Sequence, residues 1–170
     1  MSEPETTPPP AETTAPSGEP AGSAGTEGCV DLPQVRAVVH AVGEGRIELA
    51  LPHSDYVMHL RLEVAPDRIA VPVGKRIRGR VDAVAMRFHG ATGGGRFIEP
   101  VIGEPRIVAG TVIHVDRAGG RVLIDCAMPI WITPEEADQD WSIFEERALV
   151  TGYLRSGMVF TPRDEDLTSG

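Results

Sequence analysis

Arg36-Ala-Val-Val-His-Ala-Val-Gly-Glu-Gly-Arg-Ile-Glu-Leu49 and Gly110-Thr-Val-Ile-His-Val-Asp-Arg-Ala-Gly-Gly-Arg-Val-Leu-Ile124 are two versions of one pattern. Val38-Val39-His40-Ala41 falls on Val112-Ile113-His114-Val115. After one inserted residue, Gly45-Arg46-Ile47 falls on Gly120-Arg121-Val122. In both, an apolar run passes through a glycine turn into a second apolar run. That is a β-hairpin, in which glycine supplies the positive φ of a tight turn. The correspondence returns downstream. Ile77-Arg78-Gly79-Arg80-Val81 lies over Val150-Thr151-Gly152-Tyr153-Leu154, and Ala85-Met86-Arg87-Phe88 resembles Gly157-Met158-Val159-Phe160. Matched features in the same order at both ends point to an internal duplication, with repeats at 35–89 and 107–162.

Each repeat reads as β-structure. Tyr56, Met58, Leu60, Leu62 and Val64 alternate with Val57, His59, Arg61 and Glu63, the period-two pattern of a half-buried strand. Pro52, Pro66 and Pro72 keep the strands of the first repeat short. One helix is predicted, at Thr133-Pro134-Glu135-Glu136, where a hydroxyl N-cap, a proline at the first position and acids at the positive end coincide. A hairpin, a middle excursion and a final strand resemble the plan of a small OB-type barrel. Gly110-Thr-Val-Ile-His-Val115, a G-x-V-x-x-V pattern, also resembles the small tandem barrels that bind molybdate. Both resemblances are at the level of fold and carry no binding residues across. The fold expected is therefore all-β: two tandem OB-like barrels packed together. Packing is needed because repeats of this size bury too little surface alone.

The chain of 170 residues is 41% hydrophobic, 24% charged and 5% aromatic, with a net charge of -9. No run approaches the apolar length of a membrane helix, which excludes a spanning helix. The acidic balance excludes a generic nucleic-acid coat, which needs cationic excess. The charge is unevenly spread. Residues 1–34 hold six acids and no Lys or Arg in a Pro/Thr/Gly/Ser-rich context, the composition of a disordered arm. Residues 163–170 are expected as a second disordered tail. Residues 35–106 sum to +3 and 107–160 to -4, a contrast that favours docking of the two halves. Between the repeats, 90–106 reads as a linker, flexible through Gly90–Gly95 and then apolar at Phe97, Ile98, Val101 and Ile102, which are expected to plug the joint. Two cysteines, Cys29 and Cys126, make no disulfide framework and fit reduced thiols in a cytoplasmic protein, with Cys126 in the core.

The most distinctive charged element is Lys75-Arg76-Ile77-Arg78-Gly79-Arg80-Val81. On a strand Arg76, Arg78 and Arg80 share one face; with Arg87 nearby they form a candidate site for an anion, a nucleic-acid backbone or an acidic partner. The alternative is a solvated edge kept charged against aggregation. The aligned residues of the second repeat are Leu149, Thr151 and Tyr153, so the fold itself does not require arginine there. Leu149 and Tyr153, with Trp131, form instead a candidate apolar interface for a protein partner. His40 and His114 occupy matching positions, and His53, Asp55 and His59 cluster, but no ligand spacing makes a metal site. Gly90–Arg96 lacks the ending of a phosphate loop and reads as a hinge. No catalytic residue, metal or cofactor is assigned. The function expected is a non-catalytic binding or scaffolding module for a protein partner; the alternative is single-stranded nucleic-acid or small-anion binding through the arginines of the first repeat.

Overall fold

The computed structural model describes residues 31–168; the predicted arm lies outside them except for 31–34. The described chain is all-β, with eleven strands in one mixed sheet. In chain order these are β1 (Val35–Gly43), β2 (Arg46–Ala50), β3 (Val57–Leu62), β4 (Arg76–Ala91), β5 (Phe97–Glu99) and β6 (Ile102–Gly103). Then follow β7 (Ile107–Asp116), β8 (Arg121–Asp125), β9 (Pro129–Pro134), β10 (Leu149–Leu154) and β11 (Val159–Pro162).

The pairings run in two circuits. In the first, β1 pairs antiparallel with β2 and β2 with β3; β3 runs parallel to β11; β11 is antiparallel to β4, and β4 returns to β1. In the second, β7 pairs with β8 and β8 with β9; β9 runs parallel to β4; β4 is antiparallel to β10, and β10 returns to β7. β4 therefore serves both. Its first half, up to Asp82, pairs with β1 and β11, and its second half, from Asp82 to Ala91, pairs with β9 and β10. The exchange is reciprocal. The last strand of residues 107–162 completes the circuit of 35–89, and the second half of β4 completes the circuit of 107–162.

Burial follows the alternation read from sequence. Along β4, Ile77, Gly79, Val81, Ala83 and Ala85 are buried while Arg76, Arg78, Arg80, Val84 and Met86 are exposed. At Met86 the period slips. Tyr153 pairs with Arg87 but Leu154 with Ala85, so Met86 is an unpaired bulge, and Phe88 then turns inward. One apolar cluster spans both circuits, from Ile47, Leu60 and Phe160 to Ile124, Ile132 and Phe88, and no polar side chain is buried among the described residues.

Two glycines show how tightly the exchanged strands fit. A Cβ on Gly79 would meet the Thr161 carbonyl and lie 2.6 Å from the Phe160 ring; one on Gly152 would lie 2.5 Å from the Phe88 ring. The glycines aligned in the sequence thus each receive an aromatic ring from the exchanged strand. The pairings nevertheless set Phe160 beside Val81, and Ala85 beside Leu154, so the register places Phe160 level with Ala85 rather than Phe88. A similar one-residue slip separates the histidines. β1 bulges at His40, between Val39 and Ala41, whereas β7 bulges at Ile113, between Val112 and His114. His40 and His114 do not occupy matching positions.

Three local expectations are corrected. The helix at Thr133 does not form: β9 continues through Pro134 along β4, and the Glu135 amide donates to the Ala85 carbonyl at 2.8 Å. Only a 3-10 turn, Trp141–Ile143, follows, capped by Asp140 accepting from Ser142. Parallel pairing claims the backbone groups that a helix start needs, and capping signals are too weak to compete. In the linker, Gly90 and Ala91 belong to β4 and Ile98 is fully buried in β5, but Val101 and Ile102 are exposed rather than plugging a joint. Residues 163–168 are held: a 3-10 turn covers Asp164–Asp166, Leu167 bridges to Ile69, and the Thr168 amide donates to the Arg68 carbonyl at 2.9 Å.

Overpacking of a well-filled core typically costs about 1–3 kcal/mol. Gly79→Ala and Gly152→Ala are each expected to lose stability in that range in urea unfolding. Gly43→Ala, where a Cβ meets nothing within 4 Å, is the control. Equal midpoints for all three would show that the exchanged strands do not press on these glycines.

Candidate functional site

β4 carries the arginine row, but the structure divides it. Arg80 turns to Asp82 (Nε to Oδ2, 2.6 Å) and Arg87 to Glu136 (Nε to Oε1, 3.2 Å), so the charge of both is matched by a neighbouring carboxylate. Arg76 and Arg78 have no ion-pair partner among the described residues. A third arginine joins them. Arg36 on β1 is the pairing partner of Arg78, also without an ion pair. Like charges directly opposite on adjacent strands weaken the pairing, so this placement is costly unless an anion shares it.

The three guanidinium residues line a hollow of about 410 Å³ together with His53, Glu165 and Asp166. Two short segments build its rim. His53 sits in a turn at φ 61°, beside Ser54, whose hydroxyl donates to the Leu51 carbonyl at 3.0 Å. The 164–166 turn is held by backbone bonds: the Arg78 amide donates to Asp166 Oδ2 at 2.9 Å, and the Arg163 amide to the Arg78 carbonyl at 3.1 Å. Glu165 accepts from Arg163 Nη1 at 3.1 Å. Each of these carboxylates spends one oxygen on such a bond and brings negative charge to the rim, but neither lies within ion-pair distance of the Arg36, Arg76 or Arg78 guanidinium. Arg36 was invisible as a site residue because only the register of β1 on β4 brings it opposite Arg78.

The apolar interface predicted at Trp131, Leu149 and Tyr153 is not one surface. Trp131 is only 9% exposed. The guanidinium of Arg121 lies 4.4 Å from its ring centre, and His114 meets its edge at 5.9 Å. Leu149 is half-buried. Tyr153 is 44% exposed and stacks edge-on against His89 at 6.3 Å. Trp131 is level with Asp82 on β4 and Tyr153 with Arg87, so the two lie on opposite flanks of that strand and at different heights. The exposed apolar residues of β4 are instead Val84 and Met86.

Cys126 is buried, donates weakly to the Met128 carbonyl at 3.5 Å, and has its thiol pKa pushed up by burial, which makes it inert. Among the described residues no group of His, Cys, Asp or Glu is arranged to hold a metal ion, and no helix is long and apolar enough to cross a membrane. Compared with known proteins, the chain matches no family model, no curated protein and no solved structure.

The clamp over Trp131 gives the second circuit a pH signature. Asp116 accepts from the Gly119 amide at 2.8 Å and from Arg121 Nε at 2.9 Å. These bonds, the amide's first, hold its carboxyl below the ordinary value of 3.8. A carboxylate depressed in the folded state contributes stability above its unfolded pKa, and that contribution is lost as pH falls through the folded one. Asp116→Asn is expected to be less stable than the parent at neutral pH and to lose less stability on acidification below about pH 4. Parallel stability curves down to low pH would show that the Asp116 contacts contribute nothing.

Proposed function

We propose that this protein is a non-catalytic binding module of two OB-like barrels, the first of which takes a small, multiply charged anion between Arg36, Arg76 and Arg78. The barrel reading is supported by the pairing order: each circuit has five strands, and its third and fifth run parallel. The shared β4 and the exchanged β11 make the pair one interlocked body. In this reading, 35–89 and 107–162 are copies that have traded their final strands.

The observation that carries the function is the Arg36–Arg78 cross-strand pair at the wall of the hollow, neither guanidinium in an ion pair among the described residues, with Arg76 two residues along β4. Guanidiniums in such a cluster match phosphate or carboxylate oxygens by charge and by planar donor geometry. The second circuit supplies a contrast. Ala109 and Thr151 pair at the corresponding place, so the arginines are not demanded by the architecture. No Phe, Tyr or Trp lines the hollow, and unspecific single-strand binding relies on such stacking surfaces. That favours a phosphate-rich small anion over single-stranded nucleic acid. Docking of a protein partner on the second repeat is the weaker reading, since Trp131 is already covered.

Calorimetric titration with inorganic triphosphate at low salt is the test. Binding is expected, weakening with added salt, and falling by about tenfold or more in a variant with Arg36, Arg76 and Arg78 all changed to Ser. An Arg80→Ser, Arg87→Ser variant is expected to bind as the parent does. Absence of triphosphate binding, or equal losses in both variants, would refute the assignment. Tighter binding of an oligothymidylate than of triphosphate would replace it with the nucleic-acid reading.

A further inference from the structure

A second cleft, of about 300 Å³, is lined by Arg46, His59, Arg61, Glu104, Ser156 and Gly157. Its floor repeats the anomaly of the first hollow on different strands: Arg46 on β2 is the pairing partner of Arg61 on β3. Neither guanidinium is ion-paired among the described residues, so two like charges again face each other across a ladder. The second circuit resolves the same position internally. Arg121 there pairs across the hairpin with Asp116, which is also its ion partner, whereas Arg46 pairs with Gly43.

The opposite wall comes from the chain just before β11. The Gly157 amide donates to Glu104 Oε1, and the Arg61 amide donates to the Met158 carbonyl at 2.8 Å. Gly157 adopts φ 98°, and a Cβ there would lie 3.5 Å from Arg61 Nη1, so this loop lies against one guanidinium and limits its freedom. Glu104 spends one oxygen on the loop and keeps the other. Glu48, on the same face of β2 as Arg46, stands beside the cleft, 3.8 Å from His59 Nε2 and 3.9 Å from His40 Nε2.

Two cations call for an anion, yet the carboxylate of Glu104 repels a bare one and asks for a hydrogen-bond donor, as does the hydroxyl of Ser156. The ligand that satisfies both walls carries an anionic group at one end and hydroxyls at the other. The volume suits a molecule the size of a single sugar. We propose that this cleft binds a hydroxyl-bearing phosphate ester of monosaccharide size, with the phosphate between Arg46 and Arg61 and a hydroxyl donating to Glu104.

The test compares glucose 6-phosphate, inorganic phosphate and glucose, following the Gly157 amide by NMR on the full chain. Glucose 6-phosphate is expected to shift that amide and to bind about tenfold more tightly than inorganic phosphate, with glucose bound weakly or not at all. Arg46→Ser and Arg61→Ser, each at an exposed position, are both expected to abolish the shift. Glu104→Gln keeps an acceptor for the Gly157 amide, and is expected to reduce the preference over inorganic phosphate without abolishing phosphate binding. The Arg36/Arg76/Arg78 triple variant is expected to leave the Gly157 response unchanged, which separates this site from the other. Equal affinity for the ester and inorganic phosphate would overturn the proposal. So would a Gly157 response that survives both single arginine variants.

Discussion

The sixteen residues from Arg76 to Ala91 form one uninterrupted strand, and each circuit of pairings is complete only because that strand runs through both. Its first half must present Ile77, Gly79 and Val81, and its second half Ala83, Ala85 and Phe88, to the one apolar core that spans both circuits. A strictly alternating strand would have pointed Phe88 outward; the bulge at Met86 resets the phase. Gly79 and Gly152 lack the Cβ that would meet the rings of Phe160 and Phe88, which is why those rings find room. Separate packing of two finished domains, the arrangement suggested by their opposite charges, is replaced by shared backbone.

Much of this was legible in the residues. Period-two alternation at 56–64 and the glycine turns at 43–45 and 118–120 specify strands and hairpins by local chemistry alone. Gly79 and Gly152 were recognisable as matching glycines in the sequence, whereas the likeness of Phe88 to Phe160 is not kept in the register, which sets Phe160 level with Ala85. What local chemistry does not contain is the identity of a strand's partner. By pattern β11 is as compatible with the strands of 107–154 as with β3 and β4, so its pairing could not be read from the residues. The same limit hid Arg36, whose role depends on register, and misplaced His40 by one residue, because a bulge leaves no mark in an alternating apolar run. At Thr133 the failure was of another sort. The capping signals were present, but long-range pairing with β4 outweighed them.

The two halves have used the same architecture differently. Where the first leaves arginines facing arginines, the second places Ala109 beside Thr151 and closes Arg121 between Asp116 and Trp131. Arg121 in the second half is thus spent on contacts that hold an aromatic ring in place, whereas Arg36, Arg76, Arg78, Arg46 and Arg61 in the first line hollows without an ion pair among the described residues. In the duplication proposed here, one copy's surface can change while the other continues to support the shared core. The sites proposed here both lie on the circuit completed by β11, at opposite ends of the β1–β2 hairpin.

The exchange also has a consequence for how the chain is made. Domains commonly fold as they leave the ribosome, the N-terminal one first. Here β1 to β4 emerge with the edges that β11 will cover still open. The missing strand follows roughly 70 residues later, a delay of several seconds at ordinary rates of synthesis. During that interval the backbone groups of β3 and β4 that pair with β11 have no native partner in the nascent chain. A chain built in this way carries an open strand edge, the kind of surface prone to misassembly, until its final strand arrives, and translation speed through 92–158 sets how long that edge stays open.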